Sequence, residues 1–428
     1  MQTKYCNAKN IKAELDGYVM GQEKGTRAIA MAIAQHIRQR NYYGPKDLLQ
    51  TDNVLLIGPT GCGKTETFRV LQRLQYEFEC PVIMVNTLDY SATKSWQGDS
   101  ITDIFDDIAY QALQIYCTKT KEKENEATIK RRVTEIANHA IVLLDEFDKI
   151  SLSGDGKSRT FLKEYQSNLL KIVEGNTYEV CTVGYKRKYR KRNEDGTEDI
   201  ETETIALADM KLDSTNMMFI FLGAFEGIQN ITKFRLWQEK LSKEKVVNTS
   251  EDYQDTHLGF MVLPKKEPET HKEEFTYEQL IPSQEDVIQC GFMRELVGRI
   301  PVRTVYQPLS EENLINILLH SNTSAYKKYQ ERFRQNGHIL RCSRSALREI
   351  ARSSIERGTG ARGMMNIFAE LLQDTQYELS GNLRPIHCLL RGKEIREHKP
   401  PLIHDVTEKQ NKKCKQRLKK LYDMQQNN

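Results

Sequence analysis

Residues 53–57 (NVLLI) form a short apolar run that stops at a glycine. The octet Gly58-Pro59-Thr60-Gly61-Cys62-Gly63-Lys64-Thr65 then leads into ETFRVLQRLQ, whose apolar positions recur at helical spacing. No other feature restricts the fold as strongly, because strand, glycine-rich turn and helix in that order give the pattern G-x-x-x-x-G-K-[ST] its physical meaning. The glycines let the backbone wrap with its N–H groups inward, which offers a polyphosphate several donors and the positive end of a helix. Lys64 supplies a point charge for the β- and γ-phosphates, and Thr65 a hydroxyl for Mg²⁺. All eight residues are read as nucleotide-binding.

A matching second half lies downstream. Residues 140–146 (AIVLLDE) read as a buried strand ending on Asp145 and Glu146. Two adjacent carboxylates there are costly to desolvate unless a cation or polar chemistry uses them. Asp145 is therefore assigned to the metal and Glu146 to orienting and deprotonating a water, with arginines stabilising the transition state. Arg299 in VGRIP precedes a helical region, where a neighbouring subunit would receive it in trans. Arg362 in TGARG opens a later helix, from which it would reach nucleotide across a domain boundary. A surface ion pair is the plain alternative for either. Further apolar runs at 81–86 (PVIMVN) and 217–225 (MMFIFLGAF) alternate with helical stretches, which indicates an α/β fold with a parallel sheet buried on both faces.

The 428 residues leave room for two or three domains of roughly 100–200 residues each. A hydrophobic share of 39% beside 29% charged residues is ordinary for a globular protein and excludes collagen-like and low-complexity classes. A net charge of +4 creates no whole-chain field that would drive the protein onto DNA or an acidic membrane. The most apolar stretch, 217–225, is about half of the ~20 residues that span a bilayer, and the N-terminal MQTKYCNAKN has no apolar signal core. A soluble, cytoplasmic protein without membrane partners is expected. Nine cysteines, an odd number with no CxxC among them, fit reduced thiols better than disulfides or a zinc knuckle.

The organisation expected is a large α/β domain over 1–304, a small helical domain over 305–390 and a basic tail over 391–428. Two segments interrupt the large domain. The first, about 178–212, sets KRKYRKR before Asp195-Gly196 and an acidic stretch, so it reads as a hairpin whose strands neutralise each other; nucleic-acid contact is the alternative. The second, about 243–290, has little periodicity and three prolines, and reads as a flexible loop. The charged 119–132 reads as a surface insertion.

Taken in order, LDGYVMGQEKGTRAI, NVLLIGPTGCGKT, VLLDEFDKI, LLKIVEGN, FIFLGAFEGI, LVGRIP and GTGARG resemble the AAA+ module of the ClpX unfoldases. The resemblance implies an AAA+ phosphate-loop NTPase domain, a small α-helical domain, and a homohexameric ring with ATP and Mg²⁺ between subunits. It implies that Tyr18, Val19 and Met20 line the adenine pocket, that Arg299 is the trans finger and that Arg362 is the sensor arginine in cis. The pore loop would be Ser95-Trp96-Gln97-Gly98, with Trp96 as the residue that grips substrate. Leu258-Gly259-Phe260 would dock a ClpP-like peptidase, a mobile apolar tip being suited to a pocket on a partner.

The pattern also departs from the family. The pore tetrapeptide lacks the usual first glycine and valine, paired cysteines of a zinc-binding domain are not found before the module, and Leu222-Gly223 offers no polar sensor. The leading reading is an ATPase that unfolds tagged or unfolded proteins and feeds a peptidase. The alternatives are a nucleic-acid motor or loader using KRKYRKR and the basic tail, and a remodeller without a protease partner.

Overall fold

A computed structural model of the chain describes residues 4–40, 51–87, 101–120, 124–152, 156–192, 198–248, 275–380, 384–397 and 399–405. In chain order the strands are β1 (Val54–Ile57), β2 (Val82–Asn86), β3 (Ile141–Asp145), β4 (Thr177–Val180), β5 (Val183–Arg192), β6 (Glu198–Leu207), β7 (Met210–Asp213), β8 (Met218–Gly223), β9 (Val302–Val305), β10 (Ile339–Cys342), β11 (Ile386–Leu390) and β12 (Leu402–Asp405). They belong to two compact units interleaved along the sequence. One draws on 31–57 and 74–305; the other draws on 7–30, 58–73 and the chain from 306 onward.

The first unit is built on a five-stranded sheet ordered β2-β3-β8-β1-β9, in which every pairing is parallel. All residues of β1 and β8 are buried, as expected of strands covered on both faces. The expected parallel sheet is therefore present, with one strand more than its apolar runs reveal. That strand, β9 (VRTV), carries Arg303 and Thr304 and lies at the sheet edge. Asn53 fixes the start of β1: its side chain donates to the Arg299 carbonyl at 2.9 Å and accepts from the Phe219 amide at 2.9 Å. Phe147, fully buried just after β3, packs against Phe221, Phe225 and Phe292.

Two segments differ from their sequence reading, and a third, the hairpin, is present as read. Part of 119–132 is structural: the helix Glu126–Ala137, capped by the Asn125 side chain, buries Ile129 and Val133. Its charges occupy the remaining face. The 243–290 stretch begins inside the helix Ile228–Asn248 and ends in the helix Gln284–Gln289, whose Ser283 cap forms a capping box with Asp286. The basic hairpin exists, as antiparallel β5 and β6. Arg187 is opposite Glu203 and Lys191 opposite Asp199, whereas Lys186, Lys188 and Arg190 are opposite Thr204, Thr202 and Ile200.

The second unit holds the helices Ala8–Asp16, Glu311–His320, Ala325–Gln335, Arg344–Glu356, Gly360–Glu378 and Gly392–Arg396. Leu314, Tyr329, Phe333, Ile350 and Phe368 lie in its core. This region is mostly helical, as its periodicity predicts, yet it also contains a sheet ordered β10-β11-β12. β10 and β11 are parallel, and β12 returns antiparallel from a segment the sequence assigns to a basic tail. Among the described residues no helix is long and apolar enough to cross a membrane.

Candidate nucleotide-binding and hydrolysis site

β1 ends at Ile57, and the chain enters the glycine loop at Gly58. Gly61 and Gly63 adopt φ values of +78° and +110°, conformations that L side chains rarely reach. A Cβ at Gly61 would stand 2.2 Å from the Thr359 carbonyl oxygen, and one at Gly63 would stand 3.1 Å from Val19 Cγ1. Four of the loop carbonyls have donors from outside the turn or from Lys64. Lys64 Nζ donates to those of Gly58 and, at 2.9 Å, Pro59. Ala361 N donates to that of Gly61 at 3.1 Å, and Gln22 Nε2 to that of Cys62 at 3.2 Å. With its carbonyls so engaged, the loop has the form of an amide nest. Burial pushes the Cys62 thiol upward in pKa, so it acts as a small apolar filler beneath the turn rather than as a nucleophile.

The helix Lys64–Phe78 follows directly. Its Thr67 hydroxyl meets the buried Tyr306 hydroxyl at 2.9 Å, and Thr65 Oγ1 accepts from Arg362 Nη2 at 3.4 Å. Arg362 lies in the first turn of Gly360–Glu378, with its guanidinium toward Thr65. Of the three residues assigned to adenine, Val19 is buried against Gly63. Tyr18 lies beneath the Arg73 guanidinium at 4.7 Å, and Met20 is half-buried.

Asp145 ends β3, which is separated from β1 only by β8, so the paired acids and the exit of β1 share the C-terminal edge of one sheet. Ligands of open α/β sheets gather at this edge. Glu146 has φ +56°, an unusual left-handed conformation for a residue with a side chain. Its amide donates to Asp145 Oδ1 at 2.9 Å. Thr87, fully buried after β2, braces the same peptide: its hydroxyl lies 2.9 Å from both the Asp145 and Glu146 carbonyls. At the end of β8 the Ala224 amide donates to Asp148 Oδ1 at 3.1 Å, and Lys149 pairs with Asp148 at 3.0 Å. The carboxylate of Asp145, at the end of β3, is a hard oxygen donor of the type Mg²⁺ takes.

Arg299 caps the helix Arg294–Gly298 and is exposed, with Nη2 2.7 Å from Glu174. Trp96 and Leu258-Gly259-Phe260 lie outside the described residues. Sequence reading missed Thr87 and Gln22. No local pattern marks Thr87, whereas Gln22 sits inside the quoted LDGYVMGQ segment without a chemical role assigned to it.

A parallel sheet whose first described strand opens into a glycine-lysine-threonine loop, with paired acids at the same edge, defines a nucleotide-binding α/β ATPase. The chain belongs to the AAA domain family (Cdc48 subfamily), whose model matches residues 50–303. It is also similar to the ATP-dependent Clp protease ATP-binding subunit ClpX of Treponema denticola, 28% identical over 377 residues, covering 86% of this chain and 76% of that protein. The ClpX subunit of Borrelia duttonii is 27% identical over 378 residues, covering 87% of this chain and 74% of that protein.

Proposed function

We propose that this chain is an ATP-driven protein unfoldase. It assembles as a homohexameric ring in the cytoplasm, threads unfolded or tagged polypeptides through the pore and delivers them to a ClpP-like peptidase. The observation that carries the reading is the reach of the similarity, which extends over 377 residues, beyond the 50–303 of the AAA domain, to subunits named for a Clp protease.

In this reading Tyr18, Val19 and Met20 hold the adenine. The loop from Gly58 to Thr65 grips the phosphates through its amides and Lys64, while Thr65 and Asp145 hold Mg²⁺. That ion, when bound, supplies charge neutralisation on the phosphates. Glu146 orients the attacking water and takes its proton. Arg299 acts in trans on the nucleotide of the adjoining subunit, and Arg362 acts in cis. Rigid-body motion after hydrolysis carries Trp96 along the pore axis, and Leu258, Gly259 and Phe260 anchor the peptidase.

The test combines purified protein, ATP, a tagged folded reporter and a ClpP-type peptidase. Loss of reporter signal that disappears in Glu146→Gln supports the reading. A reporter that stays folded, with ATP still hydrolysed, removes it. A nucleic-acid motor is the second reading, favoured by the register that sets Lys186, Lys188 and Arg190 opposite uncharged residues. ATPase stimulation by single-stranded DNA, lost steeply with salt, would select it.

A further inference from the structure

We infer that Gln22 is a positioning residue for the phosphate loop, holding its amides turned toward the nucleotide by engaging a carbonyl on its outer side. The inference rests on the reading of that loop as the ATP site. A loop that points successive N–H groups at an anion must point the intervening carbonyls away from it, and each buried carbonyl then needs a donor behind the loop. Gly61 and Cys62 are the middle residues of the turn. The Gly61 carbonyl takes the Ala361 amide, a backbone donor at a helix start. The Cys62 carbonyl takes a side chain, Gln22 Nε2, at 3.2 Å.

Gln22 suits that task because its own environment admits one orientation. It is buried, with 3% of its surface exposed. Nε2 carries two hydrogens and meets two carbonyls, those of Cys62 and Gln307, the latter at 2.8 Å. Oε1 meets an N–H, that of Gln307, at 2.8 Å. Turning the amide over would set an oxygen against two carbonyls and an NH₂ against an N–H, so the network fixes which end points where. Gln307 returns the contact, its Nε2 donating to the Gly21 carbonyl at 2.9 Å. Gly21 itself has φ +75°, and a Cβ there would stand 2.5 Å from Asn313 Nδ2. The segment that bears Tyr18, Val19 and Met20 is therefore tied through one amide to the turn of the phosphate loop.

No other residue type meets these demands. Glutamate has the same shape but, when ionised, offers only acceptors to two carbonyls. Methionine fills the volume without donor or charge. Either change leaves the Cys62 carbonyl unpaired in a buried place, and it recovers a partner only by rotating the peptide, which turns the Gly63 amide out of the nest.

The test uses the full chain, with ATP hydrolysis rates and titration of a fluorescent ATP analogue on Gln22→Glu, Gln22→Met and Lys64→Ala. Loss of one buried carbonyl donor corresponds to a weakening of ATP affinity and a rise in KM of roughly tenfold in both Gln22 variants, with kcat within about threefold. A purely architectural role would lower the melting temperature and the active fraction, and with them kcat, while leaving KM in place. If Gln22→Glu does not fold, Gln22→Met decides. Unchanged ATP affinity in a folded Gln22→Met protein, with Lys64→Ala impaired, overturns this inference alone. Unchanged affinity in Lys64→Ala overturns the ATP reading of the loop and this inference with it.

Discussion

The hydroxyl of Thr87 lies 2.9 Å from the carbonyl oxygen of Glu146, a residue 59 positions away that adjoins it because β2 and β3 pair in register. Glu146 holds φ +56°, a conformation that costs an L residue roughly 1–2 kcal/mol. The Thr87 hydroxyl and amide, which also reach the Asp145 carbonyl, offset that cost. Thr87→Val keeps the shape and removes the hydroxyl donor. If Glu146 is the general base, as proposed, turnover should fall about tenfold or more while ATP affinity stays within about twofold, because displacing a base harms the chemical step rather than binding. Thr87→Ser should retain most of the rate. Single-turnover ATP hydrolysis measures both, and a wild-type rate in the valine variant would separate the hydroxyl from the alignment of Glu146.

Arg299 offers a different kind of separation. Its ion pair with Glu174 is 2.7 Å long, but the side chains are 48% and 40% exposed, and pairs this exposed contribute at most about 1 kcal/mol. Arg299→Ala should therefore leave the melting temperature almost unmoved. If the residue acts in trans, the same change should lower steady-state ATPase by more than about tenfold. Full activity in the alanine variant would confine Arg299 to its surface pair.

The loop and the acids were legible because their chemistry is local: three glycines, a lysine and a threonine are contiguous, and Asp145-Glu146 follow a continuous apolar run. β1, β3 and β8 were legible for the same reason, being covered on both faces. β9 was not, since Arg303 and Thr304 break its pattern at a sheet edge, and β10 to β12 are too short and too interrupted by His and Arg to stand out. The braces of the site were hidden by distance along the chain. Gln22 reaches Gln307 across 285 positions, and Thr87 finds Glu146 only through strand pairing. A single sequence carries no periodicity for such contacts.

Gly61 and Gly360 predict graded losses. At Gly61 a methyl would meet the Thr359 carbonyl oxygen at 2.2 Å, and the backbone is already left-handed at φ +78°. Gly61→Ala should abolish measurable nucleotide binding and cost roughly 1–3 kcal/mol of stability from strain alone. At Gly360, φ is +54° and the nearest contact is the Gly61 carbonyl oxygen at 3.0 Å. Gly360→Ala should be milder, weakening ATP binding through displacement of the Ala361 amide that serves the same carbonyl. Thermal denaturation beside ATP-analogue titration ranks the two, and an equal or reversed order would contradict the contact geometry.

Acid should destabilise the sheet-bearing unit through His36. Burial holds this imidazole at a pKa of about 4. The hydrogen bond between Nε2 and the His139 carbonyl, at 2.9 Å, works against that depression, and the charges of His139 and Arg40 add to it. Unfolded, the ring titrates near ~6.5. Between these values the unfolded chain binds more protons than the folded one, so stability rises with pH across the window. The contribution is complete above the unfolded pKa and is lost as pH falls from 6.5 toward 4. Its full size is on the order of 3 kcal/mol. His36→Gln retains an amide donor for the His139 carbonyl but cannot take up a proton. Its melting temperature should therefore change less than that of the wild type between pH 6.5 and 4, a difference that differential scanning calorimetry at several pH values would register. Parallel curves for the two proteins would show that His36 does not carry the acid sensitivity.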